Sequence, residues 1–221
     1  MDTRVDKEVS GEEGANRANA RFLRQMAVRD GVPILEIKAA HDRNKGVSEK
    51  EVKGMKEDEF KGLQETLQLC VGARILLSQN IYVEAGLMNG ALGVVKGFVF
   101  PKDFDPHSPN SALRVPSCVI VRFDELRLPD ALKLKGDGLE NCVPIFHQQN
   151  PHTSEEMTAR KQFPLTLAWC LTHWKAQGMT LSKVKVALGD KAAKRLGVGY
   201  TAVSRVKHVR DLLFAQDLPD Y

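Results

Sequence analysis

The stretch that most constrains this chain is 168–205, AWCLTHWKAQGMTLSKVKVALGDKAAKRLGVGYTAVSR. An apolar run at 165–171 leads into Thr172, Lys175, Gln177 and Gly178, and Ser204-Arg205 closes the segment. Nowhere else do so many polar and special-backbone residues lie between apolar segments. Leu165, Ala168, Trp169 and Thr172 share a helical face and Pro164 suits a first helical turn, so the spacing predicts a helix over 165–178. The alternation Lys-Val-Lys-Val-Ala-Leu at 183–188 predicts a strand with one buried face. Gly197-Val198-Gly199 then opens a helix at about 200–207, and 212–214 reads as a closing strand.

Upstream, 10–31 reads as a helix with both ends marked. Ser10 and Glu13 have capping-box spacing, in which each side chain satisfies an otherwise orphaned backbone N–H. Phe22, Leu23, Met26 and Ala27 form its apolar face, and Gly31 stops it. Asn16, Arg17, Asn19, Arg21 and Arg24 cover the other surface, as a solvated face or a ligand-facing edge. Residues 32–39 form a short buried strand, and 41–61 a charged, glycine-punctuated loop with weak helical tendency at 48–55. In TLQLCVGARILLSQN, alternation at 67–71 and the compact run 74–78 predict two strands.

Composition changes at Gly86. From there to about Phe163, short β-type runs are separated by turn clusters: 91–95, 97–100, 117–123 and 141–147, with a proline-rich loop at 101–110. Asn89-Gly90 is the first pivot, because both residues tolerate positive φ. Several short strands with glycine-rich turns in this span predict a small inserted barrel.

The net charge of +4 permits a nucleic-acid partner without requiring one. Cys70, Cys118, Cys142 and Cys170 are widely spaced, which argues against a zinc cluster or a disulfide framework and for a reduced, intracellular setting. The start, MDTRVDKEVSGEEGANR, lacks the apolar core of a signal peptide, and no apolar run reaches the roughly 18 residues of a membrane span. His147 and His152 have no third ligand at metal-like spacing, so no metal site is assigned. The 221 residues also contain no GxxxxGK[ST] phosphate loop.

Two blocks resemble the Pif-type, RecD-like DNA helicases of superfamily 1. Pro164-Leu165-Thr166-Leu167-Ala168-Trp169, then Thr172-His173-Trp174-Lys175-Ala176-Gln177-Gly178-Met179-Thr180, then Tyr200-Thr201-Ala202-Val203-Ser204-Arg205 are similar to that family's C-terminal motor segment. The runs 69–80 and 86–95, LCVGARILLSQN and GLMNGALGVV, are similar to its V-G-A-x-V-M-L-x-x-N and G-L-V-N-G-x-x-G-x-V. The blocks occur in the family's order. The resemblance implies an α/β fold: a second RecA-like motor domain from 1–85 and 163–221, with an SH3-like β-barrel insert at 86–162. It also implies ATP- and Mg2+-driven 5′ to 3′ movement along single-stranded DNA, in the nucleus of a eukaryote or the cytoplasm otherwise.

On that resemblance, Arg205 is the catalytic arginine finger, its planar guanidinium suited to charge developing on a γ-phosphate. Gln177, Gly178 and Arg205 face the nucleotide. Thr172, Trp174, Lys175 and Thr180 face the strand, with Lys175 neutralising a phosphate. The sequence departs from the family where Trp174 replaces the usual histidine and His173 the preceding apolar residue. Either the two have exchanged roles, or the indole stacks on a base, or Trp174 is simply a core residue. Ala176 replaces the usual serine. In the insert, Lys96, Arg114, Arg122, Arg127, Lys133 and Lys135 are candidates for a basic groove.

With no phosphate loop present, the expected role is the C-terminal half of a motor, inactive toward ATP alone. Its partner would be a phosphate-loop domain in further sequence or another chain. A non-catalytic single-strand-binding module and an inert relic are the alternatives. No membrane partner is expected.

Overall fold

The computed structural model describes residues 12–43, 54–105, 107, 115–129, 133–136, 138–153, 158–187 and 197–215. Ser10, Arg114 and nearly all of the weakly helical 48–55 segment lie outside them. Packing divides the chain into two compact units, Met1–Arg21 with Trp169–Tyr221, and Phe22–Ala168.

Helix α1 (Glu12–Asp30) carries Glu12 and Glu13 in its first turn and Arg29 in its last, each placed to favour the helix dipole. Gly31 ends it at φ +64°, and the Val32 N–H reaches back to the Ala27 carbonyl at 3.0 Å. Its buried stripe is Ala15, Asn19, Leu23 and Ala27, one residue per turn. The expected apolar face is therefore rotated. Phe22 is exposed, whereas Asn19, expected on the outer surface, is buried.

The unit Phe22–Ala168 is built on antiparallel pairing. Strands β1 (Leu35–Lys38) and β3 (Thr66–Leu69) pair with Ile37 opposite Leu67, both fully buried. Its largest sheet contains β4 (Arg74–Leu77), β5 (Leu92–Val99), β6 (Cys118–Phe123), β7 (Cys142–Phe146) and β10 (Leu165–Leu167). Their order is β10-β4-β5-β6-β7. One face of this sheet is core: Ile75, Leu77, Val95, Val119, Val121, Phe123 and Ile145 are all buried.

The two strands expected at 91–95 and 97–100 are one strand, β5, with a bulge between Val95 and Gly97. Gly93 is required by close approach: a Cβ there would lie 2.7 Å from Val121 Cγ1 and 2.9 Å from the Arg122 carbonyl oxygen. Asn89-Gly90 forms the expected turn, with Gly90 at φ +97° and its N–H bonded to the Leu77 carbonyl at 2.8 Å. Asn80 Oδ1 accepts the Asn89 N–H at 2.8 Å and fixes the turn from the strand end.

Two expectations are corrected here. Residues 165–167 are a strand, and 173–178 are turns, so no helix spans 165–178. The outer edge of β4 offers unpaired backbone groups, and β10 satisfies them with Leu165 opposite Leu77 and Leu167 opposite Ile75. Pro164 precedes this strand and contributes its carbonyl, which accepts the Ser78 N–H at 2.9 Å. Second, among the described residues the five-stranded sheet has β10 and β7 at its edges, and no closed barrel is seen. The expected insert boundary at 86 falls between β4 and β5, which are neighbours in that sheet.

A second sheet of the same unit contains β2 (Ala40–Arg43), β8 (Gln148–Pro151) and β9 (Thr158–Gln162) in the order β2-β9-β8. Arg160 on β9 is 0% exposed, so its charge must be satisfied within the protein. Its NH1 donates to the Leu63 carbonyl at 3.0 Å and its NH2 to the Met55 carbonyl at 3.2 Å. Glu65 Oε2 lies 3.3 Å from NH2, and the guanidinium stands 4.2 Å from the Phe60 ring centroid. Glu65 Oε2 also lies 2.9 Å from His41 Nε2 on β2.

The unit of the two chain ends is where parallel pairing occurs. β11 (Val184–Val186) pairs with β12 (Leu212–Phe214), and a parallel bridge joins Leu181 to Val206. Parallel neighbours need a crossover connection, and helix α2 (Val198–Val203) lies within it. Both strands and the helix fall within or overlap the segments expected from the sequence.

Candidate nucleotide and nucleic-acid site

The candidate nucleotide- and strand-facing residues all belong to the unit Met1–Arg21 with Trp169–Tyr221. They lie on the turn 172–180 and just beyond the end of α2. Successive backbone bonds wind the turn: Ala176 N–H to the Thr172 carbonyl at 3.0 Å, Gln177 N–H to Trp174 at 3.2 Å, and Met179 N–H to Ala176 at 3.1 Å. Thr172 Oγ1 accepts the Lys175 N–H at 3.4 Å, a long contact. Gly178 takes φ +79°, a conformation that side-chain-bearing residues rarely adopt. Gln177 and Thr180 are exposed beside it.

Trp174 is 65% exposed, which excludes a core role for the indole. His173 lies against it, ring centroids 4.5 Å apart, and its Nε2 is buried without a hydrogen-bond partner. The indole thus offers a face to solvent while the imidazole turns inward. Lys175 Nζ sits 2.5 Å from Glu12 Oε1 on α1, with both side chains about half exposed.

Arg205 closes the other end of the turn. Its Nε donates to the Thr201 carbonyl at 2.8 Å, its NH1 to the Met179 carbonyl at 3.3 Å, and its NH2 to Ser204 Oγ at 2.7 Å. Its own carbonyl accepts the Leu181 N–H at 2.7 Å. A guanidinium has five N–H donors. These bonds leave one on each terminal nitrogen, enough for a two-point contact with a phosphoryl group.

Toward ATP and Mg2+, the residues fit one edge of a nucleotide. Arg205 has N–H groups to spare and Gln177 an exposed amide. Among the described residues no group of three or more His, Cys, Asp or Glu side chains is placed to hold a metal ion. Nor is any helix among them long and apolar enough to cross a membrane.

The structure therefore brings Thr172, Trp174, Lys175, Gln177, Gly178 and Thr180 onto one turn, to which Arg205 is tied from beyond α2. The candidate basic residues Lys96, Arg122 and Arg127 are exposed in the other unit, Arg122 on β6 and Lys96 at the β5 bulge. Sequence reasoning missed the ion pair of Glu12 with Lys175 and the hold of Asn19 on Cys170. Asn19 is buried, donates from Nδ2 to the Cys170 carbonyl at 2.8 Å, and accepts the Cys170 N–H at Oδ1, also 2.8 Å. The signal that points to it is the four-residue ladder Ala15-Asn19-Leu23-Ala27, in which it is the only polar member.

All four thiols are pushed up from the ordinary range, by burial above all. At neutral pH they are protonated and poor nucleophiles.

The fold is that of solved Pif1 helicases. The match to Pif1 helicase from Candida albicans has a TM-score of 0.63 at 24% identity, over 93% of this chain and 44% of that one. Pif1 helicase from Bacteroides, solved in complex with ADP-AlF3 and single-stranded DNA, matches with a TM-score of 0.59 at 19% identity, over 99% and 43%. Residues 62–98 match the family described as DNA helicase Pif1, 2B domain. The human ATP-dependent DNA helicase PIF1 is 31% identical over 67% of this chain and 19% of its own length. Its counterpart from Emericella nidulans is 32% identical over 64% and 22%. The chain thus spans about a fifth of the length of these curated relatives. It belongs to the Pif-type helicase family, as a segment of that architecture.

Proposed function

We propose that the chain supplies the C-terminal motor half of an ATP-dependent 5′ to 3′ DNA helicase: the arginine finger and part of the single-strand track. The observation that carries this reading is the tied turn, with exposed Trp174, Lys175 and Gln177 on it and Arg205 at its end. Kinship with Pif-type helicases supports it, as does the ordered occurrence of the family's sequence blocks.

In this reading Trp174 stacks on a base, Lys175 neutralises a phosphate, and Thr172 and Thr180 contact the strand backbone. Gln177 and Gly178 couple the strand to the nucleotide, and Arg205 delivers positive charge to the γ-phosphate. Bound Mg2+ would offset phosphate charge on the side contributed by the phosphate-loop domain. The parallel β11–β12 pair belongs to the RecA-like part. The antiparallel five-stranded sheet takes the place of the SH3-like insert, with a boundary upstream of 86, since the 2B-domain match starts at 62.

The test is ATP hydrolysis with and without single-stranded DNA. The 221-residue chain alone is expected to hydrolyse no ATP, because it has no phosphate loop. Adding a Pif-type phosphate-loop domain should restore DNA-stimulated hydrolysis, and Arg205→Ala should remove it, by about 10³-fold or more as for other arginine fingers. Robust hydrolysis by the chain alone would overturn this reading. Strand binding with no rescue by the added domain would leave the binding-module reading in its place.

A further inference from the structure

The turn 172–178 has no regular helix or strand to hold it, yet its residues must meet a strand with fixed spacing. Its far end is held by Arg205, through the Met179 carbonyl and the Leu181 N–H. Near its other end, the Asn19 side chain holds the chain. Asn19 engages both backbone groups of Cys170, accepting from the N–H and donating to the carbonyl, each at 2.8 Å.

This two-point grip imitates one rung of an antiparallel ladder. It fixes the position of the backbone at Cys170 and also its rotation, which a single hydrogen bond leaves free. An amide is the side chain for the task, since it presents one donor and one acceptor side by side. A carboxylate would oppose the Cys170 carbonyl, and an apolar residue would leave two backbone groups without these partners. At 4% exposure, Asn19 is shielded from water that would compete for the same bonds. Two residues beyond Cys170 the turn begins at Thr172, and Lys175 follows within the same turn.

We propose that Asn19 is a positioning residue for strand binding: by gripping Cys170 it sets where Trp174 and Lys175 stand, without touching the nucleic acid itself. This rests on the reading of the turn as a single-strand contact. Asn19 thereby joins α1 to the site at a position 151 residues from its partner.

The test is a double-mutant cycle on the 221-residue chain, titrated against a fluorescent oligothymidylate over a range of salt concentrations. Lys175→Ala should weaken binding and flatten the dependence of log K on log salt by about 0.7, the value of one phosphate contact on a single strand. Asn19→Ala should reproduce that flattening, and Lys175→Ala added to it should change the slope no further, because the ammonium has already lost its place. If Asn19→Ala keeps the full slope, and Lys175→Ala still costs as much in that background, Asn19 is structural only and the proposal is overturned. If Lys175→Ala leaves wild-type binding unchanged, the single-strand reading of the turn fails first, a distinguishable outcome. Should Asn19→Ala lose its helical circular dichroism, Asn19→Asp carries the same cycle, since it keeps the acceptor for the Cys170 N–H.

Discussion

Lys175 shows what one residue's neighbours decide that its own identity does not. Its ammonium, 2.5 Å from Glu12 Oε1, is already paired before any phosphate arrives. Both partners are about half exposed, so the pair is a weak one, of about 0.2–1 kcal/mol. On the proposed reading of Lys175 as a phosphate contact, the phosphate must displace that carboxylate or share the ammonium with it. Glu12→Gln removes the competing charge and should tighten binding of a short single strand about 1.5- to 5-fold at low salt, with the gain shrinking as salt rises. Fluorescence anisotropy checks it, and weaker binding by the variant would show that Glu12 assists rather than competes. Arg205, Lys175, Gln177 and Gly178 are candidates because they fall in the two runs, 172–180 and 200–205, that resemble the family's. The contacts of Asn19 and Glu12 were not legible in the sequence, because their partners lie 151 and 163 positions away.

Elements were legible where side chains alternate, as in β3, or where a compact β-type run is bounded by turn residues, as in β4, β6 and β7. β10 was misread because a short apolar run carries too little periodicity to separate helix from strand. The free edge of β4 decided the matter. β2, β8 and β9 were not anticipated at all, since AHDR, QQNP and TARKQ have little apolar content. Their second source of order is Arg160, whose contacts reach Met55, Phe60, Leu63 and Glu65. Arg160→Met keeps an unbranched apolar stem but drops those bonds and leaves the Glu65 carboxylate without its buried cation. Removing one partner of a buried charge network costs about 3–5 kcal/mol. The variant should therefore show a large fall in the urea midpoint. A midpoint within experimental error of wild type would mean that β9 is held by its ladder bonds alone.

At the scale of the whole molecule, the family blocks were legible, and the expected boundary at Gly86 lies between two strands that pair with each other. A change in composition at Gly86 marks where strands become denser, and it does not mark where a sheet ends. β4 and β5 pair across it because backbone hydrogen bonding ignores composition. Acid acts on the whole molecule too. With 28 Asp and Glu, 32 Lys and Arg and six His, the chain carries +4 at pH 7 and grows more positive as pH falls, so self-repulsion rises. His147 adds a specific term of the same sign. It stacks on Phe163, ring centroids 3.8 Å apart, and burial, helped by the nearby Lys161 charge, lowers its pKa from 6.5 to about 4. The folded chain therefore binds this proton less readily than the unfolded chain does. Its contribution is fully present above about pH 6.5 and is lost as pH falls toward 4. Discounted for a ring that is only partly buried, the loss from pH 7 to pH 5 is on the order of 1 kcal/mol, or about 2–4 °C in Tm for a chain of this size. His147→Phe keeps an aromatic ring against Phe163 and cannot take the proton. Its Tm should fall less than that of wild type between pH 7 and pH 5 by about that amount. Equal falls in the two proteins would assign the acid sensitivity to the carboxylates and the general field, and would show that His147 takes up its proton without unstacking.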